Sequence, residues 1–213
     1  FKLYSEGQPV ILSDVIPILE NLGMRVLGEH PYRVRRRDGE NFGVSDFTVE
    51  LHDRCRQADL STARPLIQSA FREIWNGFAE NDDFNQLIML CGLSWREVAL
   101  IRAYARYVKQ LRFGFSQPFI AETLARHPDI TSRLVAFFFN RFEPGVKGRK
   151  SRTEKLEAEL RDSLEAVASL DDDRILRRFF MLIRATLRTN YFQVREDGGF
   201  PSYLSLKLDP SSI

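Results

Sequence analysis

The feature that most constrains the fold of this chain is a change of hydrophobic pattern near residue 55. From Ser61 to Leu187, apolar residues recur at the spacing of one face of an α-helix. Before residue 55, short runs alternate apolar and polar residues, as half-buried strands do. Apolar residues make up 44% and charged residues 28% of the 213 positions, an ordinary globular balance. The sequence therefore predicts an α+β protein.

Three strands are predicted in the first part of the chain. Residues 1–4, 25–36 and 42–51 carry the alternating pattern, and Asp38-Gly39 supplies a hairpin turn between the last two. The expected order of elements is strand, helix, strand, strand.

One helix is predicted between the first two strands. Ser13 and Asp14 are its candidate N-caps, because their side-chain oxygens can accept the free N–H groups of the first turn. Pro17 is placed in that first turn, where its missing N–H costs nothing. Gly23 is expected to end the helix.

The second part is predicted to be a helical bundle. The first helix covers residues 61–78, and a short helix follows that Asp82 or Asp83 caps and Gly92 ends. The capping box at 94–97 opens the third helix, residues 116–127 form the fourth, and Asp129 or Thr131 starts the fifth, which ends before Pro144. Residues 152–170 form the sixth helix, and Asp171, Asp172 and Asp173 cap the seventh. Residues 145–151 are expected to form a basic joint, and 191–195 with 203–208 a C-terminal β-hairpin. The run 137–139 is three phenylalanines, so its helix has apolar surface on two sides.

No local pattern predicts a catalytic or metal site. His52 and Cys55 have a metal-like spacing, but no second pair follows to complete four zinc ligands. His30 and His127 each precede a proline at an element end, and the chain has no nucleophile elbow and no phosphate-binding or dinucleotide fingerprint. Capping explains the acidic pair at 82–83 and the acidic run at 171–173.

The charge balance does not favour a nucleic-acid binder. The formal net charge is +2. Arginines 33, 35, 36 and 37 are divided between the two faces of a strand, so they do not form one basic patch. The basic side of the helix after Ser94 is interpreted as a solvent-exposed face. That side consists of Arg96, Arg102, Arg106 and Lys109.

The sequence predicts a cytoplasmic segment without a membrane span. The longest bulky apolar run, 134–139, is far shorter than the ~18 residues that cross a bilayer. Two cysteines are too few for a disulfide framework and suggest a reducing compartment. Because the chain opens on Phe1 in strand character, we expect it to be a piece of a longer protein.

Several strings together resemble a known family. Residues 10–26 resemble the strand–helix–strand of an ACT-type regulatory module. Residues 92–107, 140–144, 188–193 and 202–210 follow in an order and spacing similar to the large bacterial NAD-specific glutamate dehydrogenases. The resemblance covers nearly the whole chain.

The resemblance implies a non-catalytic segment just upstream of a dehydrogenase core. Residues 1–55 would be an ACT-like part with a ferredoxin-like plan, 56–190 a helical domain, and 191–213 a hairpin leading into the core. The parent would convert glutamate, NAD and water to 2-oxoglutarate, ammonium and NADH. The catalytic lysine and dinucleotide fingerprint have no counterpart here, so the fragment should be inactive and bind no cofactor.

The expected role is regulation, support of oligomerisation and positioning of the catalytic core. The implied partners are the rest of the parent chain, further copies of it, and an amino-acid effector at the loop with Gly7, Ser13 and Asp14. The apolar faces at 137–142 and 179–187 favour subunit contacts. The alternatives are a free-standing protein-interaction or effector-binding module without enzymatic activity and, third, a nucleic-acid-binding domain.

Overall fold

The computed structural model describes residues 1–35 and 39–212 and divides into two compact units, Phe1–Trp95 and Arg96–Ile213. The strands are β1 Lys2–Glu6, β2 Met24–Arg35, β3 Asn41–Leu51, β4 Thr186–Thr189 and β5 Leu206–Leu208. The helices are α1 Leu12–Asn21, α2 Leu60–Trp75, α3 Leu87–Cys91, α4 Trp95–Gln110, α5 Gln117–Arg126, α6 Pro128–Phe142, α7 Arg149–Glu165 and α8 Leu170–Ala185. Single 3₁₀ turns lie at Asp53–Cys55, Asp83–Gln86 and Pro210–Ser212. The predicted α+β class, with a βαββ start, a helical part and a C-terminal hairpin, is confirmed.

The first unit is built on an antiparallel sheet in the order β1-β3-β2. Alternate residues of the central strand, among them Ser45 and Phe47, are buried, which is the period that a strand with one covered face requires. β2 and β3 pair as far as Arg35 and Asn41. The predicted turn residue Asp38 lies outside the described residues, as do Arg36 and Arg37.

The start of α1 differs from the prediction. Ile11 is the N-cap residue and makes no side-chain capping bond, so Ser13 and Asp14 lie inside the first turn instead of before it. Because the helix begins at Leu12, Pro17 is in the second turn, where its missing N–H leaves one backbone acceptor without its usual donor. The prediction for the other end is confirmed: Gly23 has φ +89° and donates its N–H to the Glu20 carbonyl over 2.9 Å.

Three predicted starts in the second unit shift for local reasons. α6 begins at Pro128 itself, because proline fits the first helical position, so neither Asp129 nor Thr131 caps it. α8 is capped by Ser169, whose hydroxyl accepts the Asp172 N–H at 3.3 Å. The acidic run 171–173 therefore fills the first turn, where it complements the positive pole of the helix dipole. α7 begins at Arg149, inside the predicted joint.

The C-terminal hairpin pairs other residues than predicted. β4 lies before Tyr191, and β5 starts at Leu206. The amide of Asn190 donates to the Tyr203 carbonyl at 3.0 Å and accepts the Ser205 N–H at 2.7 Å. These bonds close a loop where the sequence pattern favoured a strand.

Most of the apolar residues of the faces predicted at 137–142 and 179–187 are buried inside the second unit, although Leu187 is 53% exposed. Phe137, Phe138 and Phe179 are fully buried, and the rings of Phe137 and Phe180 lie 5.4 Å apart. Phe138 meets the rings of Tyr104 and several neighbours on another side, which confirms the prediction of two apolar surfaces on this helix. These rings belong to a core and do not support the expected subunit contact. Among the described residues, none of the helices has the length and apolarity to cross a membrane.

Candidate functional site

The residues of the predicted effector loop lie between the end of β1 and the first turn of α1. Gly7 follows β1 with φ +79° and donates its N–H to the Asn41 carbonyl over 2.8 Å. The Ser13 and Asp14 side chains are exposed and lie 3.5 Å apart at the start of α1. Ser13 and Asp14 are thus neighbours in space, whereas Gly7 is bonded to β3, and the effector site stays a prediction.

A cleft of about 630 Å³ opens at the other end of α1. Glu20, Arg25 and Glu50 line it together with Arg56 and Asp53. The Arg56 guanidinium bridges Glu50 at 3.3 Å and Asp53 at 2.9 Å, so much of the charge is balanced inside the cleft. None of the three predicted effector residues lines it.

The histidines and cysteines do not assemble into a metal or nucleophile site. Within the described ranges, no three His, Cys, Asp or Glu side chains are placed to hold one ion. Cys55 is a buried free thiol whose pKa is raised by burial, the opposite of what an activated nucleophile requires. His127, in contrast, contacts a buried carboxylate, that of Asp172.

A network of hydrogen bonds is centred on Asp172, which is only 5% exposed. Arg126 donates hydrogen bonds to the Asp172 carboxylate from Nη2 at 2.6 Å and from Nε at 3.2 Å. His127 Nε2 lies 3.0 Å from Oδ2 of the same carboxylate. The Thr123 hydroxyl adds a fourth bond at 3.3 Å. Burial alone would raise the pKa of Asp172, but the bonds from Arg126 and His127 outweigh it and hold the pKa below its usual range. The network ties α5 and the start of α6 to the first turn of α8.

Arg141, near the end of α6, caps the other end of α8. Its Nη1 donates to the carbonyls of Ile183 at 2.8 Å and Arg184 at 2.6 Å, and its Nη2 to that of Thr186 at 3.2 Å. The last carbonyls of a helix lack intrahelical donors and carry the negative end of its dipole, so a guanidinium suits this place. Burial lowers the pKa of Arg141 from its ordinary value.

Tyr104 reaches the same end of α8 from α4. Its hydroxyl lies 2.8 Å from Thr186 Oγ1, which itself donates to the Leu182 carbonyl at 2.8 Å. Tyr104 is fully buried, and burial raises the pKa of its phenol. Because the hydroxyl proton of Thr186 is directed to Leu182, the phenol of Tyr104 is the donor to Thr186.

Arg96 holds the loop that follows β4. Its Nη2 donates to the Tyr191 carbonyl at 2.7 Å, and its guanidinium lies 3.3 Å from the centre of the Phe200 ring and 4.5 Å from that of Tyr191. Such contacts combine a charge-assisted hydrogen bond with attraction between a cation and ring faces. The interpretation of this helix side as solvated is wrong for Arg96 and for Arg102, which is 4% exposed.

These four contacts form one set, which we call the seam: Arg96, Tyr104, Arg126 and Arg141 with their partners between residues 172 and 200. Chemically, the seam orients backbone and closes a core; its charged groups already contact protein partners. Sequence reasoning missed the seam because helical spacing does not distinguish a solvated arginine from one that hydrogen-bonds to a distant part of the chain.

Three family models match successive parts of the chain. Residues 1–63 match the glutamate dehydrogenase ACT3 domain, and residues 79–144 match glutamate dehydrogenase helical motif 3. Residues 159–213 match the bacterial NAD-glutamate dehydrogenase catalytic domain. The seam thus runs between helices of the second match and residues of the third.

Curated relatives align with almost the whole chain. NAD-specific glutamate dehydrogenases of Halomonas elongata and Pseudomonas aeruginosa are 48% and 45% identical to it over its full length. That of Mycobacterium tuberculosis is 37% identical over 97% of the chain. The chain spans 13% of the length of each of these relatives. With three matching models in order along its length, the chain belongs to the NAD-specific glutamate dehydrogenase family.

Proposed function

We propose that this chain is a structural segment of an NAD-specific glutamate dehydrogenase. In this segment, helical motif 3 packs against the first elements of the catalytic domain and holds them in position. The parent enzyme would convert L-glutamate, NAD and water to 2-oxoglutarate, ammonium and NADH in the cytoplasm. We propose further that this segment alone binds no NAD and has no dehydrogenase activity. Its role is to position the core and to support assembly of the parent's copies.

The observation that carries the proposal is the seam. Each of its contacts starts on a helix of the helical-motif match and ends in the catalytic-domain match. Arg141 and Asp172 fix the two ends of α8, and Arg96 fixes the loop after β4. A helix held at both ends by charge-assisted hydrogen bonds has a defined position, which is what a support for a following domain requires.

The proposal is tested on the full-length parent enzyme with Arg141→Met. Methionine keeps much of the apolar volume but removes donors to three carbonyls, so we expect about 3 kcal/mol less stability at this junction. Glutamate-dependent NAD reduction should become heat-labile, with an inactivation half-life at least about tenfold shorter. Arg141→Lys should be intermediate, because an ammonium cannot reproduce the planar fork.

Lys109→Met is the matched control, since Lys109 is an exposed cation on α4. Its activity and heat-stability should equal those of the unaltered enzyme. An Arg141→Met enzyme with unchanged inactivation kinetics would contradict the proposal.

A further inference from the structure

The loop between α4 and α5 places two phenylalanine rings against two arginines of α8. The guanidinium of Arg178 lies 4.7 Å from the centre of the Phe113 ring. That of Arg174 lies 5.7 Å from the centre of the same ring and 5.5 Å from that of the Phe115 ring. The two rings contact each other, with centres 5.4 Å apart. None of the four side chains is fully buried, and together we call them the arginine–phenylalanine surface.

The positive charge of this surface is not compensated by nearby carboxylates. Arg177, on another side of α8, donates to two carboxylates, at 2.7 Å and 2.9 Å. Arg174 lies 3.8 Å from Asp171, and because both side chains are 54% exposed their attraction is weak. Within residues 1–35 and 39–212, no ion pair joins Arg178 to a carboxylate. Both guanidiniums of the surface therefore keep positive charge for a partner outside the described chain.

Arg112 adds a third cation next to Phe113. Its φ is +54°, in the left-handed region that a residue with a Cβ adopts at a cost of about 1 kcal/mol or more. Its side chain is exposed, and in the described part of the chain no carboxylate forms an ion pair with it. The loop thus carries positive charge at a position where glycine would fit the backbone better.

Contact with the rings prepares the two arginines of α8 to bind carboxylates. The rings attract the cations and restrict their side chains, while the N–H edge of a guanidinium can form the two parallel bonds that a carboxylate accepts. Less side-chain entropy is then lost on binding. Arg174 and Arg178 are four positions apart on α8, so their Cβ atoms lie about 5–6 Å apart. Alternate residues of an extended peptide point the same way at a spacing of about 6.7 Å, which matches this pair.

A single-stranded nucleic acid fits this surface less well. Such ligands stack their bases on open aromatic faces. Here Phe115 stacks on Phe119, with ring planes 12° apart and centres 5.4 Å apart, and Arg178 lies over the ring of Phe113. The net charge of +2 also gives little general attraction for a phosphate backbone.

We propose that the arginine–phenylalanine surface binds an acidic segment of a partner protein, in extended conformation and with carboxylates at alternate positions. One carboxylate bonds to Arg174 and the next on the same side bonds to Arg178. The charge of Arg112 attracts further acidic side chains of the segment. This interaction goes beyond the proposed function, since it concerns a protein other than the parent chain.

The first test measures binding of a fluorescent peptide of four Glu-Ser repeats to the full-length parent enzyme by fluorescence anisotropy. Enzyme concentrations up to ~0.1 mM include complexes of moderate affinity. We expect saturable binding that weakens as salt is added, because both guanidiniums are partly exposed. The matched peptide of four Gln-Ser repeats has the same length without the charges and should bind at least about tenfold more weakly.

The second test locates the site. The double variant Arg174→Gln/Arg178→Gln should bind the acidic peptide at least about tenfold more weakly, since it loses both charged forks. The double variant Arg64→Gln/Arg152→Gln is the matched control: it removes two exposed arginines, on α2 and α7, and binding should stay unchanged. Arg174→Lys/Arg178→Lys keeps the charge without the planar donors and should be intermediate. Equal circular dichroism spectra and heat-inactivation half-lives verify that the variants are folded.

A parent enzyme that does not bind the acidic peptide overturns the inference, and this includes the case in which the parent's own chain covers the surface. So does binding that Arg174→Gln/Arg178→Gln retains. Tighter binding of an eight-nucleotide oligothymidylate, lost in the same variant, would assign the surface to a nucleic acid instead. None of these measurements depends on the seam, so their failure would leave the proposed function standing. Loss of the Arg141 effect would leave the arginine–phenylalanine surface standing in turn.

Discussion

At the scale of single residues, partners remote in sequence decide the role of a charged group. Asp172 follows the N-cap of α8 and would be an ordinary first-turn acid by its position. The structure places it against Arg126 and His127, 46 and 45 residues away. Two hydrogen bonds from the Arg126 guanidinium and one contact with His127 compensate the desolvation of this buried carboxylate. Removing the carboxylate would leave Arg126 without its charged partner and lower the stability of the folded state.

Asp172→Asn should therefore lower the free energy of unfolding at pH 7 by roughly 2 kcal/mol, because charge-assisted bonds become neutral ones. The pKa of Asp172 is lowered in the folded state, so its contribution is present above the unfolded pKa of about 3.9 and lost as the pH falls through the lower folded pKa. The variant should lose less stability than the wild type over that acid range. Urea unfolding between neutral and acid pH measures both effects. Equal acid sensitivity in the two proteins would contradict the role given to this carboxylate.

At the scale of elements, the loop after β1 packs against the sheet where the backbone of Gln8 and Pro9 lies close to Gly43 of β3. A Cβ built on Gly43 of β3 would lie 2.4 Å from the Pro9 nitrogen and 2.6 Å from the Gln8 carbonyl carbon. The Ser5 hydroxyl also donates to the Gln8 carbonyl at 2.6 Å, so the loop is held on this spot from both sides. Glycine is required here for backbone proximity.

Gly43→Ala should lower the free energy of unfolding by about 2–3 kcal/mol, since backbone atoms must move to admit a methyl group. Gly28→Ala in β2 is the matched control: its Cβ would meet no atom within 4 Å, and the change should be neutral or slightly stabilising. Thermal unfolding of the two variants, followed by circular dichroism, makes the comparison. A Gly43→Ala protein as stable as Gly28→Ala would show that the loop does not pack as described.

At the scale of the whole molecule, the compact units do not coincide with the matched segments. The helical-motif match spans 79–144, whereas the second unit starts at Arg96 and includes the residues matched to the catalytic domain. Phe179, Phe180 and Ile183 of the catalytic match are buried in the same unit as α4, α5 and α6. Removing those helices would uncover a large aromatic surface.

A version of the parent enzyme that starts at residue 159 should therefore aggregate, because each uncovered phenylalanine exposes an apolar area of roughly 150 Å² or more. A version that starts at residue 92 keeps α4 to α8 and should stay dispersed. Light scattering and binding of a hydrophobic dye distinguish the two. If the version that starts at residue 159 also stays dispersed, the helices are dispensable for covering α8.

The sequence by itself determined the features that depend on near neighbours in the chain. Helical spacing placed the long helices, strand alternation placed β1 to β3, and Gly23 and Gly92 were recognised as helix ends because few other residues adopt their positive φ. Only the tertiary structure decided which polar side chains are buried and with whom. Arg96 and Tyr191 are 95 positions apart, and Arg141 caps a helix that starts well downstream of it. A periodic pattern shows which side of a helix is apolar, but the partner of a guanidinium is set by how the helices pack, and that depends on the whole unit at once.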